Sequence, residues 1–208
     1  MRKMLLGLTL LLANFPFSGD ALGEPIESQK IITAIAGDWN GDGATDLAMI
    51  VETEPDDAMD MHFFLRDKEH NFLKAAGIVH GQIYGEWNDH DQPHYEGFGT
   101  EPELSALPNG SIKLYMPGML GGGERTNTTM ILAWRNDAFV VAGFAYDYRD
   151  YMKDNVASDC DYNLLTGKGK SSKMQPDGTR VHRIVSVAGK VVPFAVWDSG
   201  ASFTDCGE

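Results

Sequence analysis

The run Ile31-Ile32-Thr33-Ala34-Ile35-Ala36-Gly37-Asp38-Trp39-Asn40-Gly41-Asp42-Gly43-Ala44-Thr45-Asp46-Leu47-Ala48-Met49-Ile50-Val51 decides how this chain begins to fold. Its two ends are short, apolar and partly β-branched, and both read as strands. Between them, oxygen-bearing side chains recur at Asp38, Asn40, Asp42 and Asp46, with glycines interspersed. Gly41 and Gly43 let the backbone turn inward where a Cβ would clash. Carboxylates and an amide oxygen at alternating positions of a tight loop suit a hard divalent cation. Calcium takes roughly six to eight oxygens in a flexible shell, so the expected cofactor is Ca²⁺. The expected ligands are Asp38, Asn40, Asp42 and Asp46, with the backbone carbonyl of Ala44. Asn-Gly and Asp-Gly are also turn signals without any metal. Asp46 separates the two readings, because a bare turn has no need of a further oxygen donor at that position.

The loop is not that of an EF-hand, which needs a Glu at its twelfth position and a helix on each side. Counting from Asp38, that position is Met49, and the flanks are strands. A strand–loop–strand setting with Asp-x-Asn-x-Asp-Gly-x-x-Asp-Leu resembles the FG-GAP or VCBS repeat, the calcium-binding blade of integrin α-type β-propellers. The resemblance implies metal ligation by Asp38, Asn40, Asp42, Asp46 and the Ala44 carbonyl, and a loop that joins the first two strands of a blade. Extended through that blade it covers residues 31–79, with further strands at Met61–Arg66 and Phe72–Val79 joined by the turn Asp67-Lys68-Glu69-His70-Asn71. A second such loop is missing from the sequence, and a closed propeller requires several blades, so a multi-blade propeller is not expected. Dockerin modules use a similar loop but repeat it and follow it with helices.

The N-terminus reads as a secretory signal peptide over residues 1–23: basic Arg2 and Lys3, an apolar core Leu5–Leu12, and Ala21-x-Gly23 as a small-residue cleavage site. That core is too short to span a bilayer, and no other stretch is apolar enough to insert into a membrane. Secretion, most simply to a periplasm, follows. The formal charge is −13, and removing residues 1–23 makes it one unit more negative. So acidic a chain does not seek nucleic acid or an anionic membrane surface. Cys160 and Cys206 are the two cysteines, and a pair in an oxidising compartment is most simply one disulfide. It would tie the C-terminal tail back to the strand starting near Cys160.

Residues 24–208 fit a single all-β, antiparallel domain in which the FG-GAP-like unit is followed by an antiparallel β unit over 100–208. Strand-like runs fall at Ser111–Met116, Thr128–Trp134, Ala138–Tyr146, Cys160–Thr166, Arg180–Val187 and Val191–Val196. Arg135-Asn136-Asp137 makes a hairpin of the second and third, and Ala188-Gly189-Lys190 makes one of the last two. Helical periodicity is weak, with at most a short turn over 147–157. Ala138–Phe144 and Cys160–Lys168 are also similar to secreted bacterial proteins that carry an FG-GAP segment. That likeness implies no activity.

Residues 80–98 gather His80, Glu86, Trp87, Asp89, His90, Asp91, His94, Tyr95, Glu96 and Phe98. His90 and His94 are four apart, but Pro93 argues against a regular helix between them, and a zinc site needs three or four ligands in the right geometry. The segment reads as a long polar loop with aromatic anchors. Trp87 and Tyr95, with His90 and His94, are candidates for binding a sugar or peptide. Gly121-Gly122-Gly123 lacks the residues of a phosphate-binding loop. Asn109-Gly-Ser and Asn127-Thr-Thr fit the glycosylation sequon. No nucleophile elbow or His-Glu-x-x-His is present, and no residue is assigned a catalytic role. The expectation is a secreted calcium-binding β-rich protein with a structural Ca²⁺ loop, a binding or envelope-associated module for an unknown protein or glycan ligand. The alternative is a secreted hydrolase of glycans or peptides using a paired Asp/Glu in the 80–98 loop.

Overall fold

A computed structural model describes residues 31–53, 58–84, 101–121 and 123–207. Two open antiparallel sheets contain the strands. The first holds β1 (Ile31–Gly37), β2 (Asp46–Val51), β3 (Met59–Arg66) and β4 (Leu73–Ile83) in sequential order. The second runs β5 (Glu103–Ala106), β6 (Ile112–Gly121), β7 (Glu124–Arg135), β8 (Ala138–Asp150), β9 (Ala157–Asn163), β10 (Lys168–Met174) and β11 (Arg180–Ser186), again each beside the next. Both are meanders, and neither closes into a barrel or propeller. The all-β reading and the four-stranded N-terminal unit therefore hold.

Turn chemistry explains the longest hairpin. Arg135 pairs with Ala138, leaving Asn136 and Asp137 as a two-residue turn with φ of 51° and 58°. Positive φ at both central residues is what a type I′ turn requires, and its twist matches that of the strands it joins. On β8 the alternation buries Phe144 and Tyr146 and exposes Asp147 and Arg149, as one buried face dictates.

The two sheets share one apolar core. Ile50, Met61, Phe63 and Ile83 of the first sheet join Ile112, Leu114, Met130, Leu132 and Phe144 of the second, all essentially inaccessible. The rings of Phe63 and Phe139 stack with centroids 3.8 Å apart, and Trp134 meets Phe139 edge-on at 5.1 Å. Burying aromatics of this size contributes on the order of 1.5–3 kcal/mol each, so this stack is a principal tie between the sheets.

The structure corrects the C-terminal expectations. β11 pairs not with Val191–Val196 but with β10, whose partner segment Lys168–Met174 shows no apolar alternation. The hairpin at Ala188-Gly189-Lys190 does not form. β9 stops opposite Gly143, which leaves the start of β8 without a partner on that side. The 191–193 segment fills the gap: Val141 donates to the Val192 carbonyl at 2.9 Å, and Val140 bridges Pro193. The chain then passes through a 3-10 turn, Phe194–Val196, that buries Phe194, and enters helix α1 (Ser199–Cys206), which sequence periodicity does not reveal. Asp198 caps α1 by accepting from Gly200 N at 2.9 Å. Phe203 packs edge-on to Phe144 at 5.5 Å, and the Cys160–Cys206 disulfide pins the helix to β9. Residues 147–150 continue β8, and no helix forms over 147–157.

Candidate metal centre

The acidic loop joins β1 to β2, and its side chains are engaged with its own backbone. Asp38 Oδ1 accepts from the N–H groups of Gly41 (2.8 Å) and Asp42 (3.0 Å), and Oδ2 from Gly43 (2.8 Å). Asn40 Oδ1 accepts from Asp42 N at 3.0 Å, and Asn40 Nδ2 donates to Asp42 Oδ2 at 3.2 Å. Asp42 Oδ1 accepts from Ala44 N at 2.7 Å. These short-range bonds are the Asx pattern that favours Asp and Asn in turns. Gly41 and Gly43 have φ of 76° and 82°, the left-handed values glycine adopts without penalty.

Asp46 differs from the other acids. It is 1% exposed, and each oxygen takes a backbone N–H: Trp39 N to Oδ2 and Arg66 N to Oδ1, both at 2.8 Å. The first bond closes the loop on itself. The second fastens it to the end of β3. Arg66 adds a further latch, its Nε donating to the Thr45 carbonyl at 2.7 Å. Trp39 turns out of the loop into the core and is 3% exposed. Its ring lies where a Cβ on Gly37 would fall within 2.3 Å of ring carbons, so Gly37 is needed for that packing.

Two neighbours outside the motif complete the surroundings. Lys68, in the β3–β4 turn, places Nζ 3.7 Å from Asp42 Oδ1. The Ala44 N–H bond is the main influence holding the Asp42 carboxyl below the usual carboxylate range; partial burial opposes it, and Asn40 and Lys68 add to it. Gly110, in the β5–β6 turn of the other sheet, comes so close that a Cβ there would lie 2.7 Å from the Asp38 carbonyl oxygen. The loop is thus seated against both sheets.

Among the described residues no three His, Cys, Asp or Glu side chains converge as a ligand cluster. The loop carboxylates are turned onto its N–H groups. The donor set still suits calcium chemically. It is all oxygen, and a carboxylate offers about four lone-pair sites. Asp46 uses two of these and Asp38 three, so each retains an oxygen lone pair beyond the bonds that shape the loop.

The other predicted ligand-binding residues, Trp87, His90, His94 and Tyr95, lie outside the described residues. His80 is described, and its Nδ1 lies 2.6 Å from Asp60 Oδ2. Asp60 is buried and also accepts from Gly81 N at 2.9 Å. It thereby satisfies the backbone where β3 and β4 shift register between Met59 and Met61. Nothing in the sequence signals this pair, since the partners are brought together only by strand register. His62, on the same strand as Asp60, has its imidazole pKa lowered, by burial first; Asp60 opposes that shift and His80 adds to it.

Comparison of the chain finds no matching family model, curated protein or solved structure. No helix of the described residues is long and apolar enough to cross a membrane.

Proposed function

We propose that this protein is a secreted, periplasmic calcium-binding β-rich module that works by binding a protein or glycan ligand and not as an enzyme. The Asp38/Asn40/Asp42/Asp46 spacing between two strands carries the metal reading. The attachment of that loop to both sheets supports a structural role for the ion. The Cys160–Cys206 bond is compatible with secretion. A bound Ca²⁺ would neutralise Asp38, Asp42 and Asp46, which otherwise repel one another within one turn.

Calorimetry on the purified protein tests the reading. One Ca²⁺ should bind in preference to Mg²⁺, which demands a tighter octahedral shell. A ligand that binds only the folded state stabilises it by about 2.7 kcal/mol at a hundredfold excess over Kd, so chelation should lower Tm by several degrees. No heat at millimolar Ca²⁺, or melting curves indifferent to chelator, would sink it.

A further inference from the structure

The face of the seven-stranded sheet opposite the core carries a groove of about 430 Å³ across the ends of β7, β8 and β9. That volume lies within the range of roughly 300–1,000 Å³ common for small-ligand sites. Strand register puts an unusual charge arrangement into it. Arg125 on β7 stands directly opposite Arg149 on β8, and Asp147 on β8 directly opposite Asp159 on β9. Like charges in that relation destabilise a sheet, and here two such pairs are adjacent.

The two acids are partly compensated from within. Asn127 Nδ2 donates to Asp147 at 3.0 Å, and both Arg180 Nη1 and Ser172 Oγ donate to Asp159. Arg149 is different. Its guanidinium has no hydrogen bond or carboxylate partner among the described residues and rests 5.7 Å over the ring of Tyr151, itself 67% exposed.

We propose that this groove binds a carboxylated oligosaccharide, with the sugar carboxylate on the guanidinium group of Arg149. Sugar hydroxyls donate to Asp147 and Asp159, and a sugar ring lies against Tyr151. A planar guanidinium matches a carboxylate in two-pronged geometry. The acid pair needs hydroxyl donors, which require only a lone pair. A peptide ammonium would need net negative charge in the groove, where arginines outnumber aspartates. Three arginines against two aspartates suit a ligand with about one charge per sugar, not a dense polyanion. The chain's overall −13 does not exclude such a ligand, because exposed charges are screened beyond about 8 Å at physiological salt. The proposal rests on the reading of the protein as a binding module but not on the metal.

Isothermal titration with trigalacturonate, neutral cellotriose and triglycine tests it. Trigalacturonate should bind and the other two should not. Arg149→Gln and Tyr151→Ala should each weaken binding about tenfold or more, the loss expected for a charged hydrogen bond or a ring contact. Lys170→Gln, outside the groove, should bind as wild type, and circular dichroism should show every variant folded. Absence of heat at millimolar trigalacturonate would overturn the proposal, as would equal binding of cellotriose, preference for triglycine, or an unaffected Arg149→Gln. Calcium is titrated into the same samples. Calcium heat without trigalacturonate heat removes only the groove, and the converse removes only the metal.

Discussion

Asp46 accepts the backbone N–H of Arg66 at 2.8 Å across twenty residues of sequence, while its other oxygen holds Trp39 N. The carboxylate is 1% exposed, so it serves the fold directly, whatever it also does for a metal. This separates it from Asp42, which stays half-exposed and among the described residues meets its own loop and Lys68.

Asp46→Ala therefore destabilises the protein even in chelator. It strands two N–H groups, each worth about 1–3 kcal/mol when left unsatisfied, and the expected loss is about 2–4 kcal/mol. Asp42→Ala should change chelator melts little and abolish most of the calcium-dependent gain in Tm. Urea and thermal unfolding with and without calcium check both. Equal losses for the two variants in chelator would contradict the distinction.

Lys68 sits beside Asp42 as a tethered cation, 55% exposed. An exposed pair of this kind is worth about 0–1 kcal/mol, so Lys68→Gln should leave stability nearly unchanged. It removes a positive charge from the mouth of the loop, and calcium affinity should rise several-fold at low salt, less at high salt. Calorimetry at two ionic strengths measures this. Unchanged affinity would place the ion away from Asp42.

The Cys160–Cys206 bond closes a segment of 46 residues. In the chain-entropy treatment such a cross-link contributes about 4 kcal/mol. Cys206→Ser should lower stability by about that amount and speed amide exchange across 199–206, where Phe203, the cap at Asp198 and the bonds of Asp205 to Tyr162 and Lys190 still anchor the helix. Non-reducing peptide maps should recover both cysteines in one fragment; two freely alkylated thiols would refute the pairing.

The Tyr162 hydroxyl donates to Asp205 at 2.9 Å, and its pKa is pushed up to about 12. Burial is the main cause; a Ser202 hydrogen bond opposes it, and Asp205 adds to it. A raised folded-state pKa means that the native state holds its proton more tightly than the unfolded chain. The resulting stability is complete below about pH 10 and is lost as pH rises toward 12. Tyr162→Phe should flatten that alkaline decline. Unfolding free energies between pH 9 and pH 12 test this, and parallel profiles for the two proteins would argue against it.

The sequence by itself determined what depends on neighbours along the chain. The loop chemistry of Asp38–Asp46, the turn at Asn136-Asp137 and the antiparallel class are all written in residues a few positions apart, because turn geometry and strand alternation are local. The cysteine pairing was legible for a simpler reason, there being two. Tertiary structure decided the rest. Lys168–Met174 became a strand although it buries serines and exposes lysines, because β9 and β11 supply partners on both sides. Val191–Val196 looked like a strand, yet it closes the gap left where β9 ends at Gly143. Helix α1 carries little apolar periodicity and stays in place through Cys206, Phe203 and Asp205. The second oxygen of Asp46, the Asp60–His80 pair and the opposed arginines and aspartates of the groove all join residues about twelve to twenty-four apart. Such pairs exist only once register is set, and register follows from which face of each sheet is buried.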